Sequence, residues 1–270
     1  MSIPRITHQI WMQGWDELPA KFHGNVRALR ELNPNYTHMT WDEKSLRLEC
    51  RKYGGNCLAK FDSFKRMISK VDLGRYIILY HYGGFSIDTD MKPLQPLDKT
   101  PVFDGKGDMY ISASAYPFQH MVNNGILICR PYHPFLKDII DTILADTTRE
   151  EDYALQEMYV HNTTGPLFVG KRLDKYKNQV EILDNQYFEP CLSTDPYCKA
   201  GKESIMDHQH EMSWFSKAGK AVLDFASLIL FTVLYYFSYI LVAIIIVYGL
   251  YHLQKGTIKK LNFSALGKGT

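Results

Sequence analysis

Apolar and polar positions fall into short blocks whose period switches between two residues and about 3.6. Ile6 to Trp11 reads as a first strand and Tyr36 to Trp41 as a second, while helical spacing covers Ala20 to Leu32 and Glu43 to Tyr53. From Asp72 to Tyr82, the residues Leu73, Tyr76, Ile77 and Tyr80 share one helical face. Gly83-Gly84 then stops that helix by supplying the positive φ that a C-cap favours. An apolar strand-like run follows and ends in Asp88-Thr89-Asp90. Pro93, Pro96 and Pro101 forbid regular continuation and predict an outward loop. Asp108 to Ala113 and Gly125 to Cys129 read as strands, and Pro134 to Ala145 as an amphipathic helix. Residues of about 185–213 carry few apolar repeats and are expected to form a flap. There is no internal repeat and no low-complexity tract. Strands alternating with helices predict one α/β domain.

The acidic pair is the first chemical signal. Strand side chains repeat every two residues, so a strand running through to Asp90 would point Asp88 and Asp90 to one face. Two carboxylates that close are unfavourable without a cation between them. All-oxygen ligands suit Mg²⁺ or Mn²⁺, which complete their shells with water and substrate phosphates. Asp72 and Arg75, three apart on the preceding helix, reach the same rim. Taken alone they are an ordinary helical ion pair worth about 0.3–0.5 kcal/mol.

With those residues in place, the chain resembles the DxD glycosyltransferases of the yeast mannosyltransferase type. That group includes the initiating alpha-1,6-mannosyltransferase and the inositol phosphoceramide mannosyltransferase catalytic subunit, and the glucosylating clostridial toxins share its core. The resemblance covers about residues 3–215 in four patches. It implies a single type-A, Rossmann-like nucleotide-diphospho-sugar transferase domain. In the first patch, Ile3 to Trp11, it implies that Ile10 and Trp11 line the base pocket. In the second, it gives Asp72 and Arg75 the donor sugar, Asp88 the ribose or sugar, and Asp90 the metal, with Asp88 beside it. The third, Asn123-Asn124-Gly125 followed by Pro131 and His133-Pro134, resembles a sugar-facing turn and makes Asn124 a donor contact. In the fourth, His208 to Trp214, His208 stands where many members carry a metal- or diphosphate-contacting histidine, and Trp214 closes the site. Thr164-Gly165-Pro166 matches a recurrent loop of the family. The implied activity is a metal-dependent transfer, with retention of anomeric configuration, from a nucleotide-sugar. GDP-mannose is the favoured donor, a UDP-sugar the other. The implied acceptor is a lipid or glycan hydroxyl, such as that of an inositol phosphoceramide-type sphingolipid.

Other features narrow the picture. The 270 residues carry a net charge of +2, which gives no drive toward nucleic acid. Residues 225–251 hold no charged side chain. As a helix they would extend roughly 40 Å, against a bilayer core of about 30 Å. One transmembrane helix is therefore expected, making 1–215 catalytic, 216–224 a juxtamembrane linker and 252–270 a short tail. The side on which the catalytic domain lies is left open, and the yeast resemblance suggests a Golgi or endoplasmic reticulum membrane. The five cysteines form no C-x-x-C motif, and an oxidising compartment would allow Cys191 to pair with Cys198. Cys191, Cys198, His208 and His210 are zinc-ligand types, yet their spacing fits no short structural-zinc pattern. Two alternative functions share some of these residues. One is a metal-dependent phosphohydrolase, whose D-x-D would stand on an early strand. The other is an inactive, membrane-anchored nucleotide-sugar-binding subunit.

Overall fold

A computed structural model describes residues 2–105, 107–116, 120–192, 195, 197–211, 215, 216 and 219, together with scattered positions of 225–251. The chain divides into two compact units, Met1–Ser216 and Lys217–Thr270. In the second unit, residues 239–248 are helical and exposed. Among the described residues no helix is long and apolar enough to cross a membrane. The anticipated span at 225–251 lies partly outside them.

The first unit is built on a six-stranded mixed sheet. Its strands are β1 (Ile6–Ile10), β2 (Thr37–Trp41), β3 (Gly84–Ile87), β5 (Met109–Ala113), β6 (Val122–Cys129) and β7 (Glu181–Leu183), in the order β2-β1-β3-β6-β5-β7. β1 runs parallel to β2 and β3; β6 is antiparallel to both β3 and β5, and β7 is parallel to β5. A separate antiparallel pair joins β4 (Met91–Pro93) to β8 (Met206–His208).

Local sequence accounts for the helices that frame this sheet. In α1 (Ala20–Leu32), Phe22, Val26 and Leu29 recur at helical spacing and are buried. α2 (Glu43–Tyr53) opens on a reciprocal cap, with the Ser45 amide donating to Asp42 Oδ1 at 2.7 Å and the Asp42 amide to Ser45 Oγ at 2.8 Å. α3 (Cys57–Ser63) leads into α4 (Met67–Tyr82), which begins five residues earlier than its apolar spacing predicts. From Leu73 to Leu79 every side chain of α4 is buried, so it is a central helix rather than an amphipathic one. Gly83 ends it at φ 63° and Gly84 follows at φ 93°. A Cβ on Gly84 would stand 2.4 Å from the Ile6 carbonyl oxygen. Only glycine lets β3 enter the sheet so close to β1.

α5 (Pro134–Ala145) has proline in its first turn and buries Phe135, Leu136, Ile139, Ile140 and Ile143. α6 (Gln156–Thr163) and α7 (Pro166–Tyr176) complete the layer. One core lies between the sheet and α4, α5 and α7; a second, with Phe188, Ile205 and Met206, covers the opposite face. Cys191 and Cys198 are joined in a disulfide; Cys50, Cys57 and Cys129 are free and buried.

Candidate active site

The site lies where α/β sheets bind ligands, beyond the carboxyl ends of parallel strands. Ile10 ends β1 and Asp88 follows the last residue of β3. Here a sequence expectation is corrected. β3 stops at Ile87, and Asp88-Thr89-Asp90 forms the turn into β4, so strand alternation does not place the acidic pair. Hydrogen bonds fix the turn instead: Asp88 N to Gly125 O at 2.9 Å, Met91 N to Asp88 O at 3.1 Å and Gln209 N to Asp90 O at 3.0 Å.

Asn124 and Gly125 likewise lie within a strand, β6, and not in a turn. Ile111 of β5 faces Leu127 while its neighbour Ser112 faces Asn123, so β6 arches outward between those points. The arch carries Asn124 toward α4 and Gly125 toward the acidic turn. A Cβ on Gly125 would lie 3.0 Å from Asn123 Oδ1, 3.3 Å from Asp88 Oδ2 and 3.6 Å from His208 Cε1. The absent side chain keeps open a small space that these three groups line. Asn123 is 3% exposed and its Nδ2 is a buried donor with no partner among the described residues. Carboxylate and imidazole beside one gap fit a divalent cation.

α4 supplies the floor. Arg75, 1% exposed, donates through Nη2 to Asp88 Oδ1 at 2.5 Å and through Nη1 to the Asn124 carbonyl. Asp72, 2% exposed, accepts from Asn124 Nδ2 at 2.9 Å and from Thr164 Oγ1 at 3.0 Å. Tyr76 donates to the Thr164 carbonyl at 2.5 Å. Burial, followed by repulsion from Asp88, pushes the Asp72 carboxyl up to about 7; Arg75, Thr164 and Asn124 pull the other way. Burial also raises Asp88, against the opposing pull of Arg75, although 35% of its side-chain surface stays open and tempers the effect.

β8 brings the other wall. Its pairing with β4 sets His208 opposite Met91, one residue past Asp90. His208 Nε2 stands 3.5 Å from Asp90 Oδ2, and its Nδ1 stands 3.3 Å from Glu189 Oε1. Burial alone would lower His208, but the two carboxylates outweigh it and hold the imidazolium up to about 10. Burial opposes ionisation of Asp90 as well, yet His208 and the Glu211 amide, 3.2 Å from Oδ2, bring it below the ordinary value. Asn25 of α1 latches the same turn, donating to the Thr89 carbonyl at 3.0 Å and to Gln209 Oε1 at 2.7 Å.

Asp72, Arg75, Asp88 and Asn124 thus form one connected group, and Asp90 and His208 adjoin it. Ile10 and Trp11 stand at the end of β1, partly exposed. The Trp11 ring packs against Phe22, and its Nε1 donates to the Glu17 carbonyl at 3.1 Å. Trp214 lies outside the described residues. Sequence reasoning missed Glu189, Asn25, Asn123 and Tyr76. The one signal for Glu189 was a lone carboxylate between Tyr187-Phe188 and Pro190-Cys191.

The comparisons point to a class: the chain carries a region similar to that of the DXD-type glycosyltransferases. Residues 19–105, which include Asp72, Arg75 and the acidic turn, match the family described as glycosyltransferase sugar-binding region containing DXD motif. Among relatives, an uncharacterized glycosyltransferase of Acanthamoeba polyphaga mimivirus is 26% identical over 223 residues, covering 78% of this chain and 84% of that protein. Inositol phosphoceramide mannosyltransferase 2 of Schizosaccharomyces pombe is 30% identical over 225 residues, covering 82% of this chain and 61% of that protein. A mannosyl phosphorylinositol ceramide synthase of Saccharomyces cerevisiae is 29% identical over 187 residues, which is 68% of this chain and 46% of that protein. The chain therefore spans about three fifths of the fission-yeast protein and under half of the budding-yeast one. Among solved structures, the PaToxG glycosyltransferase aligns with a TM-score of 0.43 at 15% identity, over 64% of this chain and 69% of that chain.

Proposed function

We propose that this chain transfers a sugar from a nucleotide-diphosphate donor to a hydroxyl acceptor with the help of Mn²⁺ or Mg²⁺. The observation that carries the proposal is the meeting of Asp88 and His208 at the gap beside Gly125, with Asp90 Oδ2 3.5 Å from the His208 ring. Asp90, Asp88 and His208 would hold the cation. When bound, it supplies Lewis-acid stabilisation of the charge that develops on the leaving diphosphate.

The remaining work falls to the chain's own groups. Arg75 fixes Asp88 and the backbone of Asn124, and Asp72 with Thr164 fixes the Asn124 side chain. Because the polar atoms of Asp72 are spent inside the protein, its part, with Arg75, is to orient the donor-facing groups. The free amide of Asn123 is available to an oxygen of the diphosphate or sugar. Ile10 and Trp11 offer the base an apolar face, with Trp214 as a further donor contact. The yeast relatives' names favour mannose as the sugar and an inositol phosphoceramide-type lipid as acceptor, and the family resemblance favours GDP-mannose as the donor. Anomeric retention follows the family resemblance. The uncharged run 225–251 favours attachment to a membrane carrying such a lipid.

The test is a screen of UDP- and GDP-sugars for Mn²⁺-dependent hydrolysis and for thermal stabilisation of the full chain. GDP-mannose is expected to give the strongest response. Asp90→Ala is expected to abolish the metal-dependent signal while the circular dichroism spectrum stays unchanged. Full turnover by that variant would refute the assignment. Metal-dependent hydrolysis of a phosphomonoester, with no response to any nucleotide-sugar, would put a phosphohydrolase in its place.

A further inference from the structure

Behind Asp90 the structure gathers a second set of ligand-type side chains, of which the sugar-transfer reading uses only His208. Glu189 follows a short turn at Asn185–Tyr187, and His208 and His210 lie at and just beyond the end of β8. Glu189 Oε1 stands 3.3 Å from His208 Nδ1 and 3.5 Å from His210 Nδ1. One ligand atom from each of the three lies within 4.8 Å of the others. With zinc–ligand bonds of about 2.1 Å, the edge of a coordination tetrahedron is about 3.4 Å. The two separations from Glu189 Oε1 match that edge. The side chains are 4%, 17% and 7% exposed, so this is an enclosed set rather than a surface cluster.

Hydrogen bonding shows which atoms are free to ligate. His210 Nε2 lies 3.0 Å from the Cys191 carbonyl oxygen, which can only accept, so the ring hydrogen belongs on Nε2. The Nδ1 of a neutral His210 then presents a lone pair to the Glu189 carboxylate. Glu189 Oε2 is engaged by the Ala115 amide at 2.9 Å, which aims Oε1 at the two imidazoles. The rings themselves lie 4.2 Å apart, centroid to centroid, tilted by 30°. The carboxylate oxygen and the two Nδ1 atoms surround one point, where a cation would bind by displacing the proton that His208 Nδ1 otherwise carries. The disulfide takes Cys191 and Cys198 out of contention as ligands.

We infer that Glu189, His208 and His210 form a second metal site, of the two-histidine, one-carboxylate type that suits Zn²⁺, distinct from the Asp88/Asp90 site. Its fourth position is left for water. His208 would link the two sites, ligating zinc through Nδ1 and holding Asp90, a ligand of the donor-side cation, through Nε2. A metal on His208 Nδ1 leaves the hydrogen on Nε2, where it donates to Asp90 Oδ2. The ion therefore acts as a staple that joins the 185–211 segment to the acidic turn and orients Asp90. The inference rests on the sugar-transfer reading only for the purpose of that orientation.

The test uses the full chain, stripped with a chelator and dialysed against ZnCl₂ in the absence of any nucleotide. One equivalent of zinc is expected to remain bound. The melting temperature should rise by about 5–10 °C at a hundredfold excess over Kd. Asp88→Asn should keep the equivalent and the shift, whereas Glu189→Gln and His210→Ala should lose both. Absence of bound zinc in the natural chain, or retention by His210→Ala, would overturn the inference. Zinc K-edge absorption on the unaltered, zinc-loaded protein gives a readout that needs no variant. A nitrogen and oxygen shell with two imidazoles supports the site, and sulfur or a single imidazole overturns it. None of these readouts involves a donor sugar, so failure here leaves the sugar-transfer proposal standing and is told apart from its failure.

Discussion

Replacing Asp72 by asparagine should change how stability depends on pH. The carboxyl sits at the centre of the site floor, 2% exposed, and its affinity for a proton is raised from 3.8 to about 7. The folded state keeps the proton up to about pH 7, while the unfolded chain releases it near 3.8. Stability from this group is thus fully present below 3.8, falls as pH rises, and is gone above about 7. At about 1.4 kcal/mol for each tenfold difference in proton affinity, the loss across that window is about 4 kcal/mol. The asparagine of the Asp72→Asn variant would not ionise and keeps nearly the same shape. Its carbonyl still accepts from Asn124, and the Thr164 hydroxyl can turn to accept from the new amide. Urea denaturation of both proteins from pH 5 to pH 8 provides the measurement. Subtracting one curve from the other removes the titration of all other groups. The variant should gain on the parent by about 2–3 kcal/mol between pH 5 and pH 8, the part of the window that range covers. Curves that stay parallel within about 0.5 kcal/mol would refute the premise that Asp72 holds a proton in the folded protein.

Three further outcomes follow from the same geometry. Arg75→Met removes the only cation bonded to Asp88 among the described residues, and breaking a buried ion pair costs about 3–5 kcal/mol. The melting temperature should drop by about 6–20 °C and recover in part in the Arg75→Met/Asp88→Asn double variant. Gly125→Ala fills the gap between Asp88, Asn123 and His208 without straining a glycine-type φ. Mn²⁺ affinity measured by titration calorimetry should therefore fall about 10-fold or more, with a melting temperature within about 3 °C of the parent. Cys191→Ser opens a bridge spanning 7 residues, whose loop-closure entropy corresponds to about 2.5 kcal/mol. The same loss should appear in the unaltered protein under dithiothreitol, read by urea denaturation.

Much of the frame was legible because short-range patterns determine it. Ala20–Leu32 and Pro134–Ala145 carry unbroken 3.6-residue spacing between proline starts, and the helices occupy those residues. The DxD turn, Asp72 and Arg75 were legible as a group because they lie within 19 residues and Gly83-Gly84 dictates the turn between them. α6 and α7 were missed, since neither apolar spacing nor caps mark residues 156–176 strongly. α4 misled in the opposite direction. Beside the stripe of Leu73, Tyr76, Ile77 and Tyr80 it also buries Ile78 and Leu79, and the stripe alone marks neither its first turns nor its central place. The acidic pair was assigned to a strand because apolar alternation runs up to Ile87, and the hydrogen bonds that end it there come from Gly125 and Gln209, far along the chain. Glu189 is 99 positions from Asp90, so only tertiary packing brings them together.

The β4–β8 pairing also has a consequence for biosynthesis. Every strand of the large sheet is complete once Leu183 has been made, yet His208 reaches the acidic turn only when β8 docks on β4. A ribosome-bound nascent chain can therefore acquire its main sheet well before it acquires a competent centre. Proteolytic clipping just before residue 206 would leave a sheet-bearing shell that lacks the histidine wall.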